Sequence, residues 1–175
     1  EPQDVKMLFA VYRTLVLLSK AGDVYVLGYL SGALDGNGAV QGTTGMNSWQ
    51  RVKIDATTYL TGVKNVRGQS ARANYNAFVA ETNDGKMYTW GASTFLGDGT
   101  GAAYRSFATE MTLPADVKTK GIKMIGVTGG ITGGSSYNTY YVLSNSGNLY
   151  AMGDNKNYQC GSFTRDLVHL NWVQA

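Results

Sequence analysis

Three stretches of the chain share one pattern, in which a run of apolar residues is followed by a short polar turn and a second apolar run. They read LVLLSKAGDVYVLG, FVAETNDGKMYTWG and YVLSNSGNLYAMG, and they end at Gly28, Gly91 and Gly153. The turn pieces KAGD, NDGK and NSGN suit a tight turn because glycine adopts a positive φ without steric cost. Each stretch therefore predicts a β-hairpin.

The three hairpins recur at a nearly constant interval. Their turn glycines, like their closing glycines, are separated by 63 and then by 62 residues. A tyrosine stands three residues after each turn glycine, and another stands ten residues before it. These landmarks are the turn glycines Gly22, Gly85 and Gly147, the following tyrosines Tyr25, Tyr88 and Tyr150, and the preceding tyrosines Tyr12, Tyr75 and Tyr137. Such a period is typical of repeat architectures.

The second strand of each hairpin is predicted to be apolar on both faces. Val24, Met87 and Leu149 point to one side, and the tyrosines that follow them point to the other. The apolar residues before the closing glycines are Leu27, Trp90 and Met152. A strand of this kind needs cover on both faces, which favours small sheets stacked against one another.

Each unit is predicted to contain two further strands, one before the hairpin and a weaker one after it. The first of these begins at Val5, Val63 and Ile122, and the second surrounds residues 49–52, 172–173 and, as the poorest copy, 110–113. Four short strands per unit are typical of a β-propeller blade. We therefore predict an all-β chain that forms a single repeat domain over residues 1–175, with units near 5–62, 63–121 and 122–175.

The segment after the third hairpin carries a more specific motif. Residues 152–162 read MGDNKNYQCGS, in which Asn155, Gln159 and Gly161 match the repeat of the regulator of chromosome condensation family, while Tyr158 and Cys160 replace its Gly and Leu. Further matches are Trp90, Gly91, Gly99 and Gly101 in the second unit and Gly28, Gly36 and Gly38 in the first. From Val5 to Val173 the chain resembles this family, which implies propeller blades and a role in molecular interaction.

Three units leave the closure of the propeller open. The family usually closes about seven blades, and propellers in general have roughly four to eight. We expect an open arc that belongs to a longer propeller or to an assembly in which copies pair, or else a compact pseudo-threefold domain resembling a β-prism. Because Glu1 stands where an initiator methionine is usual, we also expect a processed protein or an excised part of a larger one.

Composition narrows the classes of function. Charged residues make up 15% of the 175 residues, whereas Gly occurs 23 times and Tyr 12 times, a balance that favours strands and turns. The net charge of +3 comes from scattered Lys and Arg, so that nucleic-acid binding is not expected. The longest apolar runs fall well short of the ~20 residues of a membrane-spanning helix, so that membrane insertion is not expected either.

The candidate catalytic side chains form no recognisable motif. His169 is the single histidine, and the chain has no G-x-S-x-G sequence, which predicts a partly exposed structural histidine. Cys160 is the single cysteine, and it takes the place of a buried leucine of the family, which predicts a core position. We therefore expect neither an enzyme nor a cofactor.

Two glycine-rich patterns invite a ligand-binding interpretation. Residues 126–134 read GVTGGITGG, but they lack both phosphate-binding signatures, so that a flexible connection is predicted. Residues 35–38 (DGNG) and 98–101 (DGTG) resemble fragments of calcium-binding turns, yet no bidentate glutamate follows. Ordinary turn chemistry explains the two Asp-Gly turns, so that no metal is expected. Calcium binding at these turns is the alternative.

The predicted binding site lies on long loops at 29–48, 92–109 and 154–171, which follow the same strand in every unit and should emerge on one face. Large rings and amides there suit contacts with a partner. The candidate binding residues are Tyr29, Asn47, Tyr104, Arg105, Asn157 and Tyr158.

These observations favour a non-catalytic binding or adhesion module of a secreted, surface or pilus protein of a bacterium, which recognises a protein or glycan on a cell surface. The extracellular location follows from the low charge and the abundance of Gly, Asn, Thr, Ser and Tyr. The first alternative is a secreted protein inhibitor, since the family includes one of β-lactamase, or a protein–protein interaction propeller. The resemblance also implies nucleotide exchange on a small GTPase with chromatin binding. A carbohydrate-active enzyme fragment is a further alternative, since 12 acidic residues are present.

Overall fold

A computed structural model describes residues 2–28, 36–38, 46–70, 75–132, 135–164 and 166–175, and within them twelve β-strands and one helix. The strands are β1 (Val5–Val11), β2 (Thr14–Ser19), β3 (Val24–Gly28), β4 (Met46–Arg51), β5 (Val63–Ser70), β6 (Asn76–Thr82), β7 (Met87–Phe95), β8 (Gly101–Glu110), β9 (Ile122–Thr132), β10 (Ser135–Ser144), β11 (Leu149–Asp154) and β12 (Val168–Gln174). The helix, α1, is Ala115–Lys120.

The strands form three sheets of four, each an antiparallel meander in chain order. We call them blade 1 (β1–β4), blade 2 (β5–β8) and blade 3 (β9–β12). In every blade the register of the third and fourth strands shifts directly before the closing glycine, Gly28, Gly91 or Gly153. This recurring β-bulge shows that the repeat is one of backbone geometry as well as of sequence. The predicted all-β units of four antiparallel strands are confirmed.

The hairpin turns of the three blades make the same backbone hydrogen bonds. In blade 2 the Thr82 amide donates to the Lys86 carbonyl oxygen at 3.0 Å, and the Gly85 amide donates to the Thr82 carbonyl oxygen at 3.0 Å. The equivalent residues, Ser19, Gly22 and Asp23 in blade 1 and Ser144, Gly147 and Asn148 in blade 3, repeat both bonds. The turn predicted from KAGD, NDGK and NSGN is therefore a single structure used three times.

The closing glycines are required by a close backbone approach. Gly91 has a φ of +106°, and a Cβ atom there would lie 2.3 Å from the carbonyl oxygen of Asn76. Gly28 and Gly153 have the same environment, with the carbonyl oxygens of Arg13 and Asn138 at 2.3 and 2.2 Å from a Cβ position. Any side chain would clash with the neighbouring strand, so the hairpin closes only with glycine.

Two hydrophobic cores lie on the two faces of blade 2. On one face Phe78, Ala80 and Trp90 pack with Val16 and other residues of blade 1, and the Phe78 and Trp90 rings stack at a centroid distance of 5.3 Å. The opposite face packs against blade 3 through a cluster that includes Val79, Met87, Tyr140, Val142 and Met152. The prediction of sheets covered on both faces is confirmed for this blade.

Two strand boundaries differ from the predictions. Only Glu110 of the predicted strand at 110–113 lies in β8, because β8 pairs with β7 from Tyr88↔Glu110 back to Phe95↔Gly101. The connection predicted at 126–134 is strand as far as Thr132, because the glycine backbone pairs with β10, as in Gly126↔Tyr141. Residues 133 and 134 lie outside the described part. Backbone pairing, which needs no apolar side chain, decided both boundaries.

The helix α1 was not predicted. It is a single short segment that contributes Val117 to the core between blades 2 and 3. No helix among the described residues, α1 included, is long and apolar enough to span a membrane.

Candidate functional site

The connections that follow the third strand of a blade lie against the fourth strand of the next blade. Asn37, between β3 and β4, forms a β-bridge with Phe107, and the Gly38 amide donates to the Ser106 carbonyl oxygen at 2.9 Å. The turn between β7 and β8 lies against blade 3 in the same way, since a Cβ on Gly97 would lie 2.5 Å from Nε1 of Trp172. We call residues 36–38 and 96–100, the fourth-strand segments that they meet, and the corresponding connection of blade 3 at 155–164 and 166–167 the connection face.

The predicted loops are shorter than expected. The segment 92–109 is mostly strand, because β7 reaches Phe95 and β8 begins at Gly101, which leaves a turn of residues 96–100. The connection in blade 3 covers 155–167, since β12 begins at Val168. In blade 1, β4 begins at Met46, and of the preceding connection only 36–38 belongs to the described part. The glycine-rich and polar sequence of 92–109 favoured a loop prediction, but the segment forms a regular hairpin.

The candidate binding residues are distributed over all three blades. Tyr104 and Arg105 lie in β8, where the Tyr104 side chain is 57% exposed and Nε of Arg105 is buried with no hydrogen-bond partner in the described part of the chain. Asn47 is exposed in β4. Asn157 and the 61% exposed Tyr158 lie in the connection of blade 3. Tyr29 lies outside the described residues.

An open groove of about 650 Å³ runs between the β7–β8 hairpin of blade 2 and blade 3. Most of its lining is apolar or glycine. The lining residues are Ser93, Phe95, Gly99, Thr100, Gly101, Ala102, Ala103, Tyr137, Val168 and Leu170. Its floor therefore offers hydrophobic contact, while Tyr104 and Arg105 continue the same strand beyond its edge.

The C-terminal segment whose Val168 and Leu170 line the groove exposes several apolar side chains. Phe163 is fully exposed, Leu167 is 62% exposed, and Val168 and Leu170 are 36% and 41% exposed. These four residues and the exposed Tyr158 lie within a stretch of thirteen residues. Sequence reasoning missed all but Tyr158. The detectable signal was the apolar content of SFTRDLVHL, at residues 162–170.

A smaller polar pocket of about 270 Å³ lies next to the groove and shares Tyr137 with it. Asp154, which is buried, accepts a hydrogen bond on Oδ2 from Nε2 of Gln159 at 2.6 Å. Its Oδ1 is buried and has no hydrogen-bond partner among the described residues. Asn157 also lines this pocket, and Nζ of Lys156 lies 3.2 Å from the Tyr137 ring centroid. The pocket suits a ligand that donates hydrogen bonds.

The single cysteine and the single histidine are both buried. Cys160 is completely buried, as predicted, and burial raises the pKa of its thiol to about 11. The expectation of a partly exposed His169 was wrong, since this side chain is only 8% exposed. Its Nε2 lies 2.8 Å from Oγ of Ser162 and 3.3 Å from Oγ1 of Thr164. Strand pairing of His169 with Gly153 carries it inside the blade.

The second of the two possible calcium turns makes ordinary turn contacts. The amide and the hydroxyl of Thr100 both donate to Oδ1 of Asp98, at 2.9 and 2.6 Å, and these bonds lower the pKa of Asp98. Within the described part of the chain no three His, Cys, Asp or Glu side chains are grouped so that they would hold a metal ion. Asp35, from the first turn, lies outside that part.

Solved structures with the same arrangement of blades reveal the fold. Human WBSCR16 has a TM-score of 0.69 and 17% identity over 98% of this chain and 39% of its own, and Prp20p from Saccharomyces cerevisiae has a TM-score of 0.68 and 12% identity over 97% and 38%. The fold is that of an RCC1-type β-propeller. A structure of Kap60 bound to yeast RCC1 (Prp20) also matches, with a TM-score of 0.50, 14% identity, and coverage of 98% and 49%.

The likeness to these RCC1-type propellers is one of fold. This chain spans about two fifths of the length of the first two neighbours. No protein-family model matches the sequence, and no curated protein matches it. The resemblance inferred from MGDNKNYQCGS and the spaced glycines is confirmed at the level of the propeller repeat.

Proposed function

We propose that the chain is a non-catalytic protein-binding module that docks its partner on the connection face. The observation that carries this proposal is the apolar groove, which is lined by the exposed side chains of Val168 and Leu170 and by Phe95. Monomeric proteins rarely leave contiguous apolar surface of this kind facing water, and such surface marks interaction sites. A partner that inserts an apolar side chain into the groove would remove this apolar surface from water.

The polar groups around the groove suit a protein partner. The aromatic rings of Tyr104 and Tyr158 are largely exposed, and Tyr and Arg are enriched among residues that dominate binding energy. Arg105, which is half-buried in β8 beyond the edge of the groove, supplies a cation. Asp154 adds a carboxylate to the wall of the adjoining polar pocket. An apolar centre with a polar rim is the usual anatomy of a protein interface.

The structural neighbours support the same use of the fold. The structure of Prp20p was described together with its binding to Gsp1p and histones, and the structure of yeast RCC1 holds Kap60. RCC1-type propellers thus serve as scaffolds for protein contacts. We propose protein binding for this chain on that ground and on its own exposed apolar surface.

Paired valine variants test the site. The immobilised chain is used to capture partners from bacterial and host extracts, and binding of each captured protein is then measured for Val168→Asp and Val5→Asp. Val5 is also exposed, at 47%, but begins β1 of blade 1. We expect Val168→Asp to weaken binding at least about tenfold and Val5→Asp to leave it unchanged. Equal binding by both variants, or no partner at all, would contradict the proposal.

We also propose that the partner is displayed on a cell surface and that the chain acts outside a bacterial cell, as an adhesion module. Low charge and abundant Gly, Asn, Thr, Ser and Tyr support this location. A glycan is the second candidate ligand, because the Tyr137 ring stands beside Asp154, Asn157 and Gln159 in the polar pocket.

Glycan arrays and cell-binding assays with the chain and its Asp154→Asn variant test this extension. Glycan binding that is lost in the variant would favour it. Failure to bind any glycan or cell would count against adhesion, and inhibition of a captured soluble enzyme would favour the inhibitor alternative.

A further inference from the structure

One wall of the groove between blades 2 and 3 is a single face of the β7–β8 hairpin. Phe95 pairs with Gly101, and the register continues from there without a shift to Gly91↔Arg105. Because side chains alternate along a strand, Ala103 and Arg105 lie on the same face as Phe95. Phe95 and Ala103 line the groove. Arg105 therefore places a cation on this apolar face, about 7 Å along the strand from Ala103.

The side chain of Arg105 extends into the space between the two blades. The residue is half-buried, and its Nε is buried with no hydrogen-bond partner in the described part of the chain. Burial raises the pKa of the Tyr140 hydroxyl, and the positive charge of Arg105 acts in the opposite direction, which places the guanidinium near this completely buried ring of blade 3. A cation held against a protein interior loses hydration, which an opposite charge can replace.

No ion pair in the described part of the chain neutralises Arg105. The ion pairs found there are Arg51–Asp23, Lys64–Glu81 and Lys86–Glu110. Asp98 is close enough to be influenced, since hydrogen bonds from Thr100 lower the pKa of its carboxyl and the charge of Arg105 contributes to the same shift. Asp98 is exposed in the turn, however, where water screens its charge. The apolar groove therefore adjoins a half-buried cation without a carboxylate partner.

We propose that the groove receives a segment of the protein partner in which a large apolar side chain stands beside a carboxylate, and that this carboxylate pairs with Arg105. The inference rests on the protein-binding function proposed above and specifies the chemistry of the partner. A groove of about 650 Å³ holds an aromatic ring, which the Phe95 and Tyr137 rings in its lining favour. The guanidinium fork suits a carboxylate because it donates two parallel hydrogen bonds.

Two small probes that differ in charge test the pairing. N-acetyl-phenylalanine carries a ring and a carboxylate, whereas N-acetyl-phenylalaninamide carries the ring and a neutral amide. Each is titrated into the isotope-labelled full chain, and binding is followed by heteronuclear NMR, which detects weak complexes. We expect both probes to shift the amide signals of residues 101–103, and the acid to bind at least about fivefold more tightly than the amide. This preference should decrease when salt is added, because salt screens the charges.

Three variants assign the preference to Arg105. Arg105→Gln removes the charge but keeps a long polar side chain, so the acid should bind no more tightly than the amide, whose own affinity should not change. Arg105→Lys keeps the charge without the planar fork and should retain part of the preference. Lys118→Gln removes an exposed cation of α1 and, as the matched control, should bind both probes like the wild type. Circular dichroism checks that the variants are folded.

The possible results separate this proposal from the one on protein binding. Equal affinity for the acid and the amide, a preference for the acid that persists in Arg105→Gln, or no binding of either probe would overturn the pairing with Arg105. None of these results depends on the capture of a partner. A captured partner that requires Val168 but binds Arg105→Gln as tightly as the wild type would leave protein binding in place and remove the carboxylate from it.

Discussion

The central blade and the end blades use the same strands in different surroundings. All seven residues of β6 in blade 2 are buried, from Asn76 to Thr82. In β2, the equivalent strand of blade 1, Leu15 is 39% exposed although its counterpart Phe78 is completely buried. The difference teaches that an apolar position in a repeat is buried by its neighbour in the stack, so that equal sequence patterns contribute unequally to stability.

The largest difference is expected at this pair of positions. Phe78→Ala removes a ring stacked on Trp90 and should cost about 4 kcal/mol of the free energy of unfolding, whereas Leu15→Ala should cost about 1 kcal/mol because the side chain is already partly in water. Urea denaturation of both variants measures the two losses of stability from the shift in the unfolding midpoint, provided that the m-value is unchanged. Equal losses would show that blade 1 is covered in solution by something else, such as a second copy.

The two glycines of one hairpin should differ next. Gly91→Ala places a Cβ atom 2.3 Å from a carbonyl oxygen in the middle of the sheet and should cost about 3 kcal/mol or more. Gly85→Ala, in the turn, meets no atom within 4 Å and has a φ of +81°, so only the backbone conformation opposes it, at about 1 kcal/mol. Thermal unfolding of both variants measures the two losses of stability and tests whether the loss at Gly91 is the larger. If the turn variant is the less stable one, the close approach at the closing glycine is not what requires glycine there.

The thiol of Cys160 reports whether an end blade opens separately. Because burial raises its pKa to about 11 from a usual 9.0, alkylation of the folded chain should be slow at pH 8 and should accelerate up to about pH 11. The folded state should also lose stability as the pH rises from 9.0 towards 11, since the unfolded chain ionises first. Alkylation rates measured against pH, with and without urea, check both. Fast alkylation with an apparent pKa near 9 in a chain that is otherwise folded would mean that blade 3 opens alone.

The smallest effect is expected at the turn that links blades 1 and 2. The amides of Thr57 and Thr58 donate to Asp55 at 2.8 Å and lower the pKa of this exposed carboxyl to about 2. The charged form is therefore favoured by folding, and its contribution to stability is present above pH 3.8 and is lost as the pH falls towards 2. Asp55→Asn should flatten the dependence of the melting temperature on pH in this window. An unchanged dependence would place the acid sensitivity elsewhere.

The local features of the repeat were predictable because each depends on residues close together in sequence. The turn at Gly85, the closing glycine Gly91 and the strand that begins at Val63 all follow from a pattern seen three times. The extent of β8 was not predictable, since Gly101 pairs with Phe95 through backbone groups that every residue carries. Val168 and Leu170 escaped notice for a different reason: their exposure depends on how blade 3 meets the β7–β8 hairpin.

By itself the sequence determined that the chain builds one four-stranded unit three times, because alternation, turn chemistry and the steric need for glycine act within a few residues. Only the tertiary structure decided which apolar faces are covered, where the groove lies and that Asp154 keeps a carboxylate oxygen without a partner among the described residues. These properties arise from contacts between blades about sixty residues apart. Burial depends on which surfaces meet, and a repeat pattern is the same for the blade in the middle and for those at the ends.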